Sequence, residues 1–304
     1  MVRVLFSFIT VCAFAAGGIF LYFYSQIRLE SDSIIDYHPE LTTKIYDRNG
    51  NLIANVFNEQ NRIYVKFDEI PGRVIEALVA IEDTAFFEHG GVNVEAIFRA
   101  IIKDVKAMKF VEGASTITQQ ITRNLVLSSE KKLDRKIKEA ILSLKIENAL
   151  SKEQILERYF NEVYFGHGYY GIRTAALGYF KKDLQDLSLK EIAILVGLPK
   201  APSSFDPTKH LDLSLSRANN VIYRMHELGW INKTEYELAM NEQPTIYNET
   251  LTQNAAPYAV DEIIKEAEKI LPDVRTGGYR IDTSLDLKAQ AMAQEALVFG
   301  YNEI

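Results

Sequence analysis

The sequence has a single cysteine, Cys12, among 304 residues, so no internal disulfide can form and cysteine content does not fix a redox compartment. It has only five histidines, none in an H-E-x-x-H pair, so no zinc site is indicated. Basic residues are in deficit: 34 Lys and Arg against 41 Asp and Glu leave a formal net charge of -7. That balance argues against wholesale nucleic-acid binding, and any anionic ligand must meet a local basic cluster. Internal repeats and low-complexity segments are also missing. What is present, 47% hydrophobic and 25% charged residues, is ordinary for a globular chain long enough for one large domain or two smaller ones.

One long hydrophobic run stands out, VLFSFITVCAFAAGGIFLYFY over 4–24. It carries no charge and has the length a helix needs to cross a hydrocarbon core of ~30 Å. Tyr22, Phe23 and Tyr24 suit the interface at its far end. A cleaved signal peptide is the rival reading, through Ala13-Phe14-Ala15, but the apolar run continues past that site. Arg3 lies on one side and Arg28, Glu30 and Asp32 on the other, which mildly favours an internal N-terminus. We therefore expect a transmembrane anchor over 4–24 and a polar stem over 25–60. Within the stem, Asn49-Gly50 between apolar runs signals a hairpin.

Over 61–240 the pattern is helical. GRVIEALVAIEDTAFF, DRKIKEAILSLKIENALS, SKEQILERYFNEVYF, LKEIAILVGL and SRANNVIYRMHELGW place apolar residues three and four apart. Ser151 with Gln154 forms a capping box, and Pro199 and Gly229 act as stops. Over 241–304 the composition is mixed, with a helix over 259–270, a strand at YRIDTSL and a last helix. That stretch is expected as a linker and the start of a further module, too short to build that module's core. Val94, Ile97, Phe98, Ile101, Ile102, Val105 and Met108 form one apolar stripe, interleaved with Arg99, Lys103, Lys106 and Lys109. Such a helix lies in a membrane interface, or faces a core with its basic side in water.

Three segments carry chemistry. Glu82-Asp83-Thr84-Ala85-Phe86-Phe87-Glu88-His89 sets carboxylates beside aromatic rings, where lost solvation favours proton transfer; the plain alternative is a helix end with solvated charges. Gly113-Ala114-Ser115-Thr116-Ile117-Thr118-Gln119-Gln120, with Arg123 and Asn124 after it, is rich in donors that have little reason to be buried. They suit sugar hydroxyls or phosphate oxygens, or else they cap a helix. Arg135 and Glu139 are four apart on one helix face, with Lys136 beside them. That is a surface ion pair, or a cationic seat for a phosphate beside a second carboxylate.

These segments, in this order, resemble glycosyltransferase family 51, the lysozyme-like domain of class A penicillin-binding proteins. The resemblance continues through Lys152, Ile155, Leu156, Glu157, Tyr159, Asn161 and Tyr164-Phe165-Gly166, and through Gly197-Leu198-Pro199-Lys200-Ala201-Pro202-Ser203. It covers roughly 42–230 and implies a mainly α, lysozyme-like helical glycosyltransferase domain with a small β-containing stem and one N-terminal transmembrane helix. It implies polymerisation of lipid II into glycan strands with inversion at the anomeric carbon and release of undecaprenyl diphosphate. It casts Glu82 as catalytic base and Glu139 as second catalytic carboxylate, acting directly or through a divalent cation such as magnesium or manganese at the diphosphate. Arg123, Arg135, Lys136 and Lys200 fall on the diphosphate side; Phe86, His89, Ser115, Thr116, Gln119, Gln120, Asn124 and Ser203 would line the substrate cleft. Partners are then lipid II, the growing strand, the membrane and other cell-wall synthesis proteins. The place is the outer, periplasmic side of a bacterial cytoplasmic membrane. YRIDTSLD resembles the lead-in to a transpeptidase domain, so these residues are expected to stop short of that domain and to lack its activity. A lytic enzyme of the same fold and a non-catalytic cell-wall scaffold are the rival readings.

Other patterns mislead. Gly166-His167-Gly168-Tyr169-Tyr170-Gly171 fits G-x-G-x-x-G, but a helix is expected before it where a dinucleotide site needs a strand. Ser128 with Lys131 and Ser129 with Lys132 fit S-x-x-K, but no S-D-N follows.

Overall fold

The computed structural model describes residues 37–58, 60–107, 115–125, 132–248 and 254–302, with isolated positions within the first 22. The expected anchor over 4–24 lies almost wholly outside them, as do the stem before Tyr37 and the Ser128 and Ser129 patterns. Among the described residues no helix is long and apolar enough to cross a membrane.

The first strands among the described residues form a hairpin. Strand β1 (Thr43–Tyr46) pairs antiparallel with β2 (Leu52–Val56), with a register shift between Ile45 and Tyr46. The turn is built by Asp47, whose carboxylate accepts from Asn49 N at 2.8 Å, Asn51 N at 2.8 Å and Asn51 Nδ2 at 3.0 Å. A two-residue strand, β3 (Asn61–Arg62), pairs in parallel with β4 (Tyr169–Tyr170).

The body is helical: α1 (Gly72–Glu82), α2 (Val94–Ala107), α3 (Ile117–Leu125), α4 (Lys132–Ala149), α5 (Lys152–Glu162), α6 (Ile172–Phe180), α7 (Leu189–Gly197), α8 (Leu211–Glu227) and α9 (Lys233–Asn241). Ser151 caps α5 as expected: its Oγ accepts from Gln154 N, and the Gln154 side chain accepts from Ser151 N. Helix α7 is buried from Lys190 through Gly197, which explains its apolar run without a polar face. Ile192, Ile194, Leu195 and Val196 each contribute roughly 2 kcal/mol of burial between α1 and α8. Buried Lys190 donates to Asn219 Oδ1 at 2.5 Å, and burial lowers its pKa.

The tail contains α10 (Pro257–Glu268), β5 (Arg280–Asp282) and α11 (Leu287–Asn302). It does not build a core alone; it completes one with the hairpin. Strand β5 adds in parallel beside β1, and Ala256, Val260, Ile264 and Val274 close over Ile45, Ile53, Ala54 and Val56. The sequence showed the strand and both tail helices but not this return.

Three positions of the apolar stripe of α2 face outward, and Ile97 is half-buried. Val94, Phe98 and Ile102 are 59%, 63% and 54% exposed and recur every four residues, with Phe87 also exposed nearby in sequence. Ala100, on another face, is buried. Met108 and Lys109 lie outside the described residues.

Candidate active site

Glu82 is the last helical residue of α1, because Asp83 leaves the helical region at φ -160° and ψ 75°. The helix therefore stops short of the expected GRVIEALVAIEDTAFF run, and residues 84–90 form turns. Two donors hold the Glu82 carboxylate. Gln120 Nε2 reaches Oε2 at 2.9 Å, and Arg217 Nη2 reaches Oε1 at 2.9 Å. The side chains of Glu82 and Arg217 are 14% and 10% exposed, so this ion pair is largely buried. Tyr159, fully buried, donates through Oη to Gln120 Oε1 at 3.2 Å. Burial raises the Tyr159 pKa first, and the charge of Glu82 adds to it, while Arg123 and Arg217 oppose it. The phenol thus stays a donor, which fixes the amide of Gln120 with its nitrogen toward Glu82.

Arg217, on α8, was missed in the sequence. Its helix reads as polar on that face, and 135 residues separate it from Glu82. A β-carbon at Gly197 would come within 2.9 Å of Arg217 Cγ, so the bare glycine at the end of α7 leaves room for the arginine.

Asp83 and His89 brace the loop. The Asp83 carboxylate accepts from His89 Nε2 at 2.9 Å and from Ile117 N, at the start of α3, at 3.1 Å. Gly91 N donates to His89 Nδ1 at 3.1 Å, which leaves the ring proton on Nε2. Gly91 has φ +98°, and a β-carbon there would meet Ser143 O at 2.6 Å. Phe86, expected to line the cleft, has no exposed surface. Its ring lies edge-on to Phe87, and the Lys152 ammonium sits 4.3 Å from its centroid.

The donor-rich segment is also corrected. Thr116, Thr118, Gln119, Gln120 and Thr122 are all buried, because they satisfy one another and their neighbours. Thr116 and Gln119 form a reciprocal cap, each side chain accepting from the other's backbone N at 3.1 Å. Thr116 Oγ1 donates to Gly91 O at 2.7 Å, Thr118 Oγ1 to Glu147 Oε1 at 2.5 Å, and Thr122 Oγ1 to Gln119 O at 2.8 Å. Thr116 and Gln119 are therefore scaffold, and Gln120 is the member that turns to the site.

Glu139 is no surface ion-pair member. Its side chain is 2% exposed, with Lys136 Nζ 2.8 Å from Oε2 and Arg135 Nε 3.3 Å from Oε1. Lys136 Nζ also donates to Ser115 Oγ at 2.7 Å. With both oxygens engaged, Glu139 meets the outside through its cations. Among the described residues no three His, Cys, Asp or Glu side chains gather to hold a metal.

An open cleft of about 430 Å³ runs beside these groups. Gln120, Arg123 and Asn124 of α3, Arg135 of α4, and Tyr164 and Tyr170 line it. Glu82 sits one side chain behind this wall, in contact with Gln120. Lys200 and Ser203 are exposed on the loop that brings Pro199 and Pro202 to the cleft. The rings of Tyr164 and Tyr170 pack with centroids 4.9 Å apart, tilted by 41°.

The family model described as Transglycosylase matches residues 49–226. Penicillin-binding protein 1A of Aquifex aeolicus is 40% identical over 267 residues, 88% of this chain and 36% of that protein. Penicillin-binding protein 1F of Bacillus subtilis is 38% identical over 266 residues, 85% of this chain and 37% of that protein. Penicillin-binding protein 1A of Escherichia coli is 38% identical over 298 residues, 96% of this chain and 35% of that protein. The chain spans little more than a third of the length of these curated relatives. A crystal structure of penicillin-binding protein 1A from Haemophilus influenzae aligns with a TM-score of 0.48 at 28% identity, covering 85% of this chain and 29% of that one. A family match over more than half of the residues, together with relatives at 38–40% identity over most of them, means that the chain belongs to the transglycosylase family.

Proposed function

We propose that this domain is a peptidoglycan glycosyltransferase of lysozyme-like fold that joins the disaccharide units of lipid II into glycan strands. The observation that carries the reading is a carboxylate, Glu82, held by Gln120 and Arg217 directly behind a cleft walled by Arg123 and Arg135. Glu82 takes the proton from the acceptor sugar hydroxyl, whose oxygen bonds to the anomeric carbon of the donor as the bond from that carbon to the diphosphate oxygen breaks. Attack from the face opposite the leaving group inverts the anomeric carbon. The departing diphosphate meets Arg123 and Arg135, with Lys136 and Lys200 at the rim. Glu139 holds Arg135 and Lys136 in place for that task and acts as a positioning residue.

The substrate class carries a long lipid, and the exposed stripe of Val94, Phe98 and Ile102 suits the surface of a bilayer. We place the domain on the outer side of a bacterial cytoplasmic membrane, held there by the run over 4–24. The growing strand and neighbouring cell-wall synthesis proteins are its partners. The test is incubation of the purified chain with labelled lipid II. Polymer that disappears in Glu82→Gln supports the reading. Cleavage of preformed strands without polymer would favour a lytic enzyme, and neither activity would favour a scaffold. For the stripe, Phe98→Ser with Ile102→Ser should weaken liposome binding of a chain lacking residues 1–24; unchanged binding refutes its interfacial role.

A further inference from the structure

A second cavity lies at the seam between the small sheet and the helical body. It measures about 250 Å³, roughly eight water volumes. Its walls include Lys44, Tyr46, Arg62, Tyr64, Tyr279 and Arg280. Strands β1 and β5 run parallel here, with Lys44 opposite Arg280 and Tyr46 opposite Asp282. Residues two apart on a strand share a face, so these four side chains stand on one side of the sheet, away from Ile45 in the small core.

The cation whose charge acts on the Lys44 ammonium is Arg173, while Arg280 interacts with Asp282 and Tyr46. Arg280 is partly answered. Its guanidinium takes both oxygens of Asp282 at 2.8 to 3.1 Å and lies 4.0 Å from the centroid of the Tyr46 ring. The Lys44 ammonium has no hydrogen bond or ion pair among the described residues. Burial lowers its pKa, and the charge of Arg173 lowers it further. Asp183 opposes that shift, but its carboxylate is bonded to Arg173 at 2.5 Å. The Arg62 Nη groups are held by Gln60 and Glu162, and its Nε is buried without a partner. The hydroxyls of Tyr64 and Tyr279 are committed to Glu157 and Asp273, so both rings offer flat walls instead of donors. The free capacity in the cavity is therefore cationic and sits at Lys44 beside Arg280.

We propose that this cavity binds a small oxyanion group, a phosphate or a carboxylate, between Lys44 and Arg280 and against the rings of Tyr46, Tyr64 and Tyr279. An anion there supplies the ion-pair partner that Lys44 lacks. The site is separate from the cleft and does not depend on the reading given to the cleft.

The test is thermal unfolding of the full chain in detergent at constant ionic strength, with chloride exchanged for inorganic phosphate or, in a second arm, for acetate. At ten times the dissociation constant, a rise in Tm of roughly 3–5 °C is expected. The arm that responds names the oxyanion. Lys44→Gln should abolish the rise without lowering the Tm of the ligand-free chain, since the ammonium makes no hydrogen bond or ion pair among the described residues. Arg280→Gln should weaken the response several-fold, and Arg123→Gln, in the cleft, should leave it intact. No response to either anion, a response that survives Lys44→Gln, or one lost only in Arg123→Gln would overturn the proposal.

Discussion

Replacing Glu82 by glutamine keeps the size of the side chain, yet the structure says that the change is not neutral for folding. Both neighbours of the carboxylate are donors, Gln120 Nε2 and Arg217 Nη2, each at 2.9 Å. An amide at position 82 has one acceptor oxygen, so one of the two contacts becomes donor against donor. Gln120 cannot turn over to help without losing its bond from Tyr159. The better outcome keeps the oxygen toward Arg217, but the arginine is then a buried cation without a counter-charge, and its Nε already lacks a partner. Hydrogen bonds to charged groups contribute about 1.5–3 kcal/mol, and breaking a fully buried pair costs about 3–5 kcal/mol. With 10–14% of the two side chains still in water, we expect Glu82→Gln to cost about 2–3 kcal/mol. For a body of this size that lowers Tm by roughly 5–10 °C. The assay is a thermal melt of wild type, Glu82→Gln, Arg217→Gln and the double variant. The double variant should recover part of the loss, with a coupling energy of about 1.5–3 kcal/mol. A Glu82→Gln melt that coincides with wild type, together with zero coupling, would show that the pair does not act as described. Polymerisation retained in Glu82→Gln would separately remove Glu82 from the role of base.

Gly91→Ala should destabilise strongly, by about 3 kcal/mol or more, since it forces a side chain at φ +98° into Ser143 O; a melt near wild type would refute the close approach. Thr116→Ala removes a helix cap and the bond to Gly91 O and should cost about 1–2 kcal/mol, read from denaturant midpoints at unchanged slope. Asp47 has its pKa lowered from 3.8 to about 2, chiefly by the side-chain hydrogen bond from Asn51, helped by the backbone N–H groups of Asn51 and Asn49. Its folded pKa lies below its unfolded one, so its contribution is complete above about pH 4 and is lost as pH falls toward 2. The gap in Tm between wild type and Asp47→Asn should be full at pH 6 and close by pH 2; a gap independent of pH would refute the turn's dependence on that charge.

Local signals in the sequence carried most of the helical body. Periodicity placed α1, α4, α5, α7 and α8 to within a few residues. The Ser151–Gln154 cap and the Asn49-Gly50 turn were legible because each is made by neighbours along the chain. The misses share one cause: the deciding partner is distant. The donors of Thr116 to Thr122 looked exposed because their partners Gly91, Glu147 and Tyr159 are not in the segment. Glu139 looked like half of a surface pair because nothing local reveals that its helix face is buried. Arg217 and Glu82 meet only after α1, α7 and α8 have packed. Phe86 and His89 lie within a motif that reads as a cleft wall, but one fills the core and the other is tied to Asp83.

The parallel pairing of β5 with β1 also imposes an order of events. The two strands are joined across 236 residues, and closing a loop of that length unaided costs on the order of 5 kcal/mol of chain entropy. The body removes most of that penalty if it forms first. Thr42 is bonded to Arg62 and Asn61 on its surface, and Tyr247 N is bonded to Tyr179 O, so both ends of the loop are delivered to fixed places. Folding is thus expected to run from the helical body to the seam, with the hairpin as a late clasp. A chain that emerges N-terminus first holds Ile45 and Ile53 uncovered until β5 and α10 have been made. During that interval the hairpin is the part of the molecule most open to pairing with the wrong strand.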